Sequence, residues 1–164
     1  MTQTETFWED LISGKFASLI KESSKGQELN SAKEVYNIMK PAFAESHDIE
    51  TLYCIYLDSK NHILSMEKAF SGTINHASIY PREVIKRVIA LKSTAVVISH
   101  NHPTGDTTPS FEDKNLTTKL WVALKSIDVC LHDHVIVGNG YFSFSDAGLL
   151  ESIDKDFKAF LQNH

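Results

Sequence analysis

Apolar positions recur along this chain with two different periods, and the alternation between the two marks out its elements. Leu52 to Leu57 (LYCIYL) is a dense aromatic and β-branched run. The turn residues Asp58-Ser59-Lys60-Asn61 follow it, then a partner run from Ile63 to Met66, which together predict a hairpin. A further short strand is expected near Thr73 and Ile74. Thr94 to Ser99 (TAVVIS) is short and continuously apolar, as a central strand covered on both faces must be. Val129 to Val137 predicts another strand, Gly138-Asn139-Gly140 a tight turn, and Tyr141 to Phe144 the return strand.

Helical spacing fills the intervals. Ser31 and Glu34 form an S-x-x-E capping box before a helix whose inner face is Val35, Ile38 and Met39 and whose end is marked by Pro41. Pro81 stands at a first helical position, where a missing N–H costs nothing, and Val84, Ile85, Val88, Ile89 and Leu91 line that helix's buried side. Ser110 opens a helix with Leu116, Leu120, Trp121 and Leu124 inward, and a last helix runs near Ser152 to Leu161. Phe7, Leu11, Phe16, Leu19 and Ile20 make a stripe broken at Gly14, and Ser23-Ser24-Lys25-Gly26 reads as a linker. Residues 1–28 are thus expected to be a helical extension and 29–164 the main domain. Strands and helices interleave through both hairpins and crossovers, which predicts an α/β fold of the α+β type: a mixed sheet flanked by helices.

The length of 164 residues suits one domain with a core of its own. A net charge of -5 argues against direct nucleic-acid binding, which calls for a clustered basic surface. Arg82, Lys86, Arg87 and Lys92 share one predicted helix and read as its solvated face. Cys54 and Cys130 lie in separate apolar runs without a Cys-x-x-Cys pair, pointing away from thiolate zinc ligation and from a disulfide scaffold. Two buried, reduced thiols fit a reducing compartment. The N-terminal stretch MTQTETFWEDLISGKF lacks the basic start and apolar core of a secretory signal. No apolar run approaches the roughly 20 residues that span a bilayer. The expected location is therefore cytoplasmic, without membrane association. Phe7 and Trp8 could mark a dimerising helix.

Chemistry concentrates in HNHPTGDTTPSFED, residues 100–113. On an extended backbone, residues i and i+2 project to one side, so His100 and His102 can offer two imidazole nitrogens to one ion at about 2.0–2.1 Å for zinc. A catalytic zinc takes three protein ligands and leaves one position for water. Asp113 can supply the third ligand, returned by the turn from Pro103 to Pro109. Ser110 with Asp113 is also an S-x-x-D capping box, a role compatible with ligation. His132 and His134 form a second His-x-His pair without a downstream carboxylate, and read as structural or as support for the first site. His47, His62, His76 and His164 read as surface residues.

HNHPTGDTTPSFED resembles the JAMM signature of the JAB/MPN metalloprotease fold, whose architecture is cytidine-deaminase-like. The longer run YPREVIKRVIALKSTAVVISHNHPTGDTTPSFEDKNLTTKL, together with LDSKN, FSGTIN and HDHVIVG, is similar to the bacterial RadC family over roughly residues 29–150. The helix-hairpin-helix module of full-length members is not visible in residues 1–28. The resemblance implies one zinc per chain on His100, His102 and Asp113, with water at the open position. It also implies a glutamate beside that water. By the resemblance this is Glu50, immediately before the LYCIYL strand, with Glu67 and Glu83 as other candidates. The expected activity is that of a zinc metallopeptidase acting on a protein or peptide at a peptide or isopeptide bond. Glu50 would be its general base, and Ser110 a donor to the oxyanion. The other reading is a non-catalytic DNA-repair or replication-stress accessory module with a structural metal.

Overall fold

The computed structural model describes residues 2–46, 48–72 and 79–163. The strand expected near Thr73 and Ile74 lies outside the described residues, as do His47, His76 and His164 and the side chain of Leu11. Among the described residues, five strands form one mixed sheet in the order β2-β1-β3-β4-β5. They are β1 (Thr51–Leu57), β2 (Ile63–Ser71), β3 (Ala95–Asn101), β4 (Cys130–Gly138) and β5 (Gly140–Ser143). The β3–β4 pair is parallel, and the other three pairs are antiparallel. The helices are α1 (Gln3–Ile12), α2 (Lys15–Ser24), α3 (Ala32–Ala42), α4 (Pro81–Leu91), α5 (Phe111–Lys125) and α6 (Leu149–Gln162).

Every residue of β1 and β3 is buried, which is why both read as unbroken apolar runs. Alternation divides their side chains between two cores. Tyr53, Ile55, Leu57 and Val97 pack with Val35 and Met39 of α3 on one face. Leu52, Tyr56, Val96 and Ile98 pack with α4 and α5 on the other, where α6 adds Leu150, Ile153 and Phe157. Each such aliphatic side chain contributes about 1.5–3 kcal/mol on burial. The mixed sheet between helical layers is the architecture expected from the sequence.

Several local expectations change. β2 runs past Met66 to Ser71. Helix α3 continues over Pro41 to Ala42; a proline in the last turn removes only one ladder bond. Ser23 and Ser24 belong to α2, Ser24 is buried, and the Gly26 N–H donates to the Ile63 carbonyl at 2.8 Å. The stretch read as a linker is therefore pinned to the start of β2. In α4 only Val84 and Val88 are buried, and Ile89 is 67% exposed, because one i, i+4 pair suffices for the contact. Cys54 is buried, which pushes its thiol up to about 12, whereas Cys130, at the entry to β4, is exposed. Among the described residues, no helix is long and apolar enough to cross a membrane.

Candidate metal centre

β3 carries His100 as its penultimate residue, and His102 follows one position past its end. Both imidazoles project toward the α5 side, where Asp113 occupies the first turn of that helix. His100 and Asp113 are buried and His102 half-buried. The His100 and His102 Nε2 atoms lie 2.8 Å apart. Asp113 sets Oδ1 3.2 Å from the first and Oδ2 3.3 Å from the second. A tetrahedral zinc with ligand distances of about 2.0–2.1 Å keeps its ligand atoms roughly 3.3–3.4 Å apart, so this set lies close to what the ion requires. The triad could hold a metal ion.

Local backbone bonds produce the convergence. The His102 N–H donates to the Val137 carbonyl, the Gly105 N–H to the His102 carbonyl, and the Asn139 N–H to the Gly105 carbonyl, at 2.8–2.9 Å. The loop after His102 is thereby bound to the β4–β5 turn. A Cβ on Gly138 would stand 2.5 Å from the Gly105 carbonyl oxygen, so this approach requires glycine. The same loop brings the Asp106 carbonyl to 2.7 Å from His102 Nδ1. A carbonyl only accepts, so in the neutral ring Nδ1 carries the proton and Nε2 has a lone pair to offer a metal. Ser110 Oγ accepts from the Asp113 N–H at 3.0 Å, and Asp113 Oδ2 accepts from the Ser110 N–H at 2.8 Å. Capping thus fixes the carboxylate that faces both imidazoles.

Burial alone would raise the Asp113 carboxyl, but hydrogen bonds with His100 and His102 hold it well below the usual carboxylate range. His102 is raised, chiefly by its hydrogen bond to Asp113 and in small part by the charge of Glu50. Both shifts express the mutual attraction of the carboxylate and the imidazoles beside it.

Glu50 immediately precedes β1 and is half-buried. Leu52 pairs with His100 across β1 and β3, so continued alternation sets Glu50 on the face of His100 and His102. Glu67 instead receives Arg87 in a forked ion pair at 2.6 and 2.9 Å, opposite Cys54 on β1. Glu83 is exposed and engages Lys86 at 3.2 Å and Arg82 at 3.4 Å. Neither alternative lies beside the triad.

The description "RadC-like JAB domain" matches residues 29–149, most of the chain. The chain belongs to the RadC-like JAB domain family. It is 47% identical over 105 residues to a UPF0758 protein of Coxiella burnetii, a match covering 63% of this chain and 47% of that protein. Escherichia coli YkfG, another UPF0758 protein, is 44% identical over 102 residues, covering 62% of this chain and 65% of YkfG. A UPF0758 protein of Thioalkalivibrio sulfidiphilus is 35% identical over 127 residues, covering 77% and 56%. The chain therefore spans less than two thirds of the length of these relatives.

Within this RadC-like JAB domain the second histidine pair separates. A bulge between Val96 and Val97 of β3 skips His132 in the β4 register, so His132 and His134 no longer share a face. His132 is exposed, bonds Asn61 at 2.9 Å, and lines a cavity of about 250 Å³ beside α3. His134 is completely buried, and its Nε2 lies 2.7 Å from His100 Nδ1. Two further residues escaped the sequence reading. Asn101 accepts the Thr51 N–H at 2.7 Å and donates to the Ser46 and Ile49 carbonyls at 2.9 and 3.0 Å, tethering the segment that carries Glu50. Thr117, also buried, lies 2.6 Å from His134 Nδ1. The available signal was a polar residue at a core position: Thr117 one turn after Asp113, and Asn101 at the end of an apolar strand.

Proposed function

We propose that this chain is a zinc-dependent metallopeptidase of the JAMM kind, hydrolysing a peptide or isopeptide bond in a protein or peptide in the cytoplasm. The convergence of His100, His102 and Asp113 within 4.8 Å, with Glu50 on the same face, carries this reading. The metal would be held by the two Nε2 atoms and the Asp113 carboxylate. Zinc bound there supplies Lewis acidity and draws the pKa of a water toward about 7. Glu50 accepts the proton released as water attacks the carbonyl carbon and returns it to the departing amine. Ser110 contributes the O–H that capping leaves unused, since its oxygen only accepts from the Asp113 N–H, and this proton meets the developing oxyanion. The pairing of Arg82, Lys86 and Arg87 with Glu83 and Glu67 reduces the free basic charge on α4, which favours a peptide over a nucleic acid as partner.

Metal content, measured by elemental analysis, and digestion of a peptide library read by mass spectrometry test this together. The wild type is expected to hold one zinc and to cleave. Glu50→Gln is expected to keep the zinc and lose at least a hundredfold in rate, the scale of a general base. A wild type without metal, or a fully active Glu50→Gln variant, would end the proposal in this form.

A further inference from the structure

His100 has a polar partner on each ring nitrogen, and on the core side His134 can either give or take a proton. Toward the triad, Nε2 faces His102 and Asp113. Toward the core, Nδ1 lies 2.7 Å from His134 Nε2. His134 Nδ1 in turn lies 2.6 Å from Thr117 Oγ1, and the same oxygen lies 2.6 Å from the Asp113 carbonyl oxygen. His134 and Thr117 have no exposure to solvent, so water cannot rearrange these bonds. Phe144 stacks on the His134 ring at 4.6 Å and 15°, fixing its plane.

We infer that Thr117 and His134 are positioning residues that decide which nitrogen of His100 offers a lone pair, and thereby set the affinity of the triad for its metal. The inference rests on the metal-site reading above. Thr117 has one hydroxyl proton, which it donates to the Asp113 carbonyl. Its oxygen then accepts from His134 Nδ1–H. A neutral imidazole with a proton on Nδ1 has its lone pair on Nε2, so His134 accepts from His100 Nδ1–H. That leaves His100 Nε2 bare toward Asp113 and His102, in the tautomer a metal needs. The Asp113 main chain and the His100 side chain are thus linked through a single hydroxyl.

With Thr117 replaced by valine, His134 Nδ1–H would be a buried donor without an acceptor. The cheaper arrangement moves that proton to Nε2, which donates to His100 Nδ1 and forces the His100 proton onto Nε2, against the metal. Valine has nearly the shape of threonine, so packing is retained.

Zinc affinity is measured by competition with a chromophoric chelator, and ring tautomers by long-range ¹H–¹⁵N NMR. Thr117→Val is expected to bind zinc about 10–100-fold more weakly, the range for losing a group that orients a ligand. Thr117→Ser, which restores the hydroxyl, is expected to return to the wild-type value. In zinc-loaded wild type, His134 should carry its proton on Nδ1. Wild-type affinity in Thr117→Val, or an Nε2–H tautomer of His134 in the loaded wild type, would overturn the inference. If Thr117→Val fails to fold, the wild-type tautomer decides alone. A wild type that takes up no more zinc than His102→Ala would instead overturn the metal site itself.

Discussion

Gly138 shows how one missing methyl group shapes the candidate centre. Its neighbours leave no room for a side chain: Gly105 O and C would lie 2.5 and 2.9 Å from an added Cβ, and Thr107 Cγ2 3.0 Å. The clash would push back the loop whose Asp106 carbonyl holds the His102 tautomer. Gly138→Ala is therefore expected to lower stability by about 1–3 kcal/mol, as overpacking does, and to lower zinc content with it. Urea unfolding and elemental analysis check both parts. An unchanged urea midpoint would mean that the loop yields without cost.

Between elements, the notable joint is that of β3 to the segment ahead of β1. Asn101 sits between the two candidate ligands in sequence but uses its amide on the opposite task. It binds the Thr51 N–H and the Ser46 and Ile49 carbonyls, and so fixes where Glu50 emerges. Asn101→Ala strands a buried N–H and two carbonyls, a loss of about 1–3 kcal/mol. Zinc stoichiometry should stay at the wild-type value, because the backbone and Asp106 contacts of His102 do not involve the amide. Chemical denaturation beside metal analysis tests this split. Loss of zinc with unchanged stability would contradict it. The capping box of α5 joins two elements in a similar way, through one carboxylate that closes a helix and faces the histidines.

At the scale of the whole molecule, the triad draws its side chains from the end of β3, the residue just past it, and α5, held together by the core that α5 shares with Ile98 and Leu52. The site exists only when that core does, so zinc is expected to bind the folded chain alone. Zinc at a hundredfold excess over its dissociation constant should add about 2.7 kcal/mol of stability. For a domain of this size that raises the melting temperature by roughly 5–10 °C. A chelator should reverse the rise, and His102→Ala should show none. An equal rise in His102→Ala would place the bound metal elsewhere.

The period of the apolar residues determined the strands and most helices, because burial on one or two faces leaves a repeat of 2 or 3.6 that no partner is needed to see. The spacing from His100 to Asp113 likewise determined the triad, since a strand end, a turn and a capped helix start are all local structures. Tertiary structure alone decided the rest. It paired Glu67 with Arg87, a partner distant in sequence that no local pattern encodes. It parted His132 from His134 by a bulge that exists only against β3. It bound the Ser23–Gly26 stretch to the domain, exposed Ile89 and Cys130, and set Asn101, Thr117 and His134 around the triad. Each of these depends on which residues distant in sequence become neighbours, and that is set by how the layers close on one another.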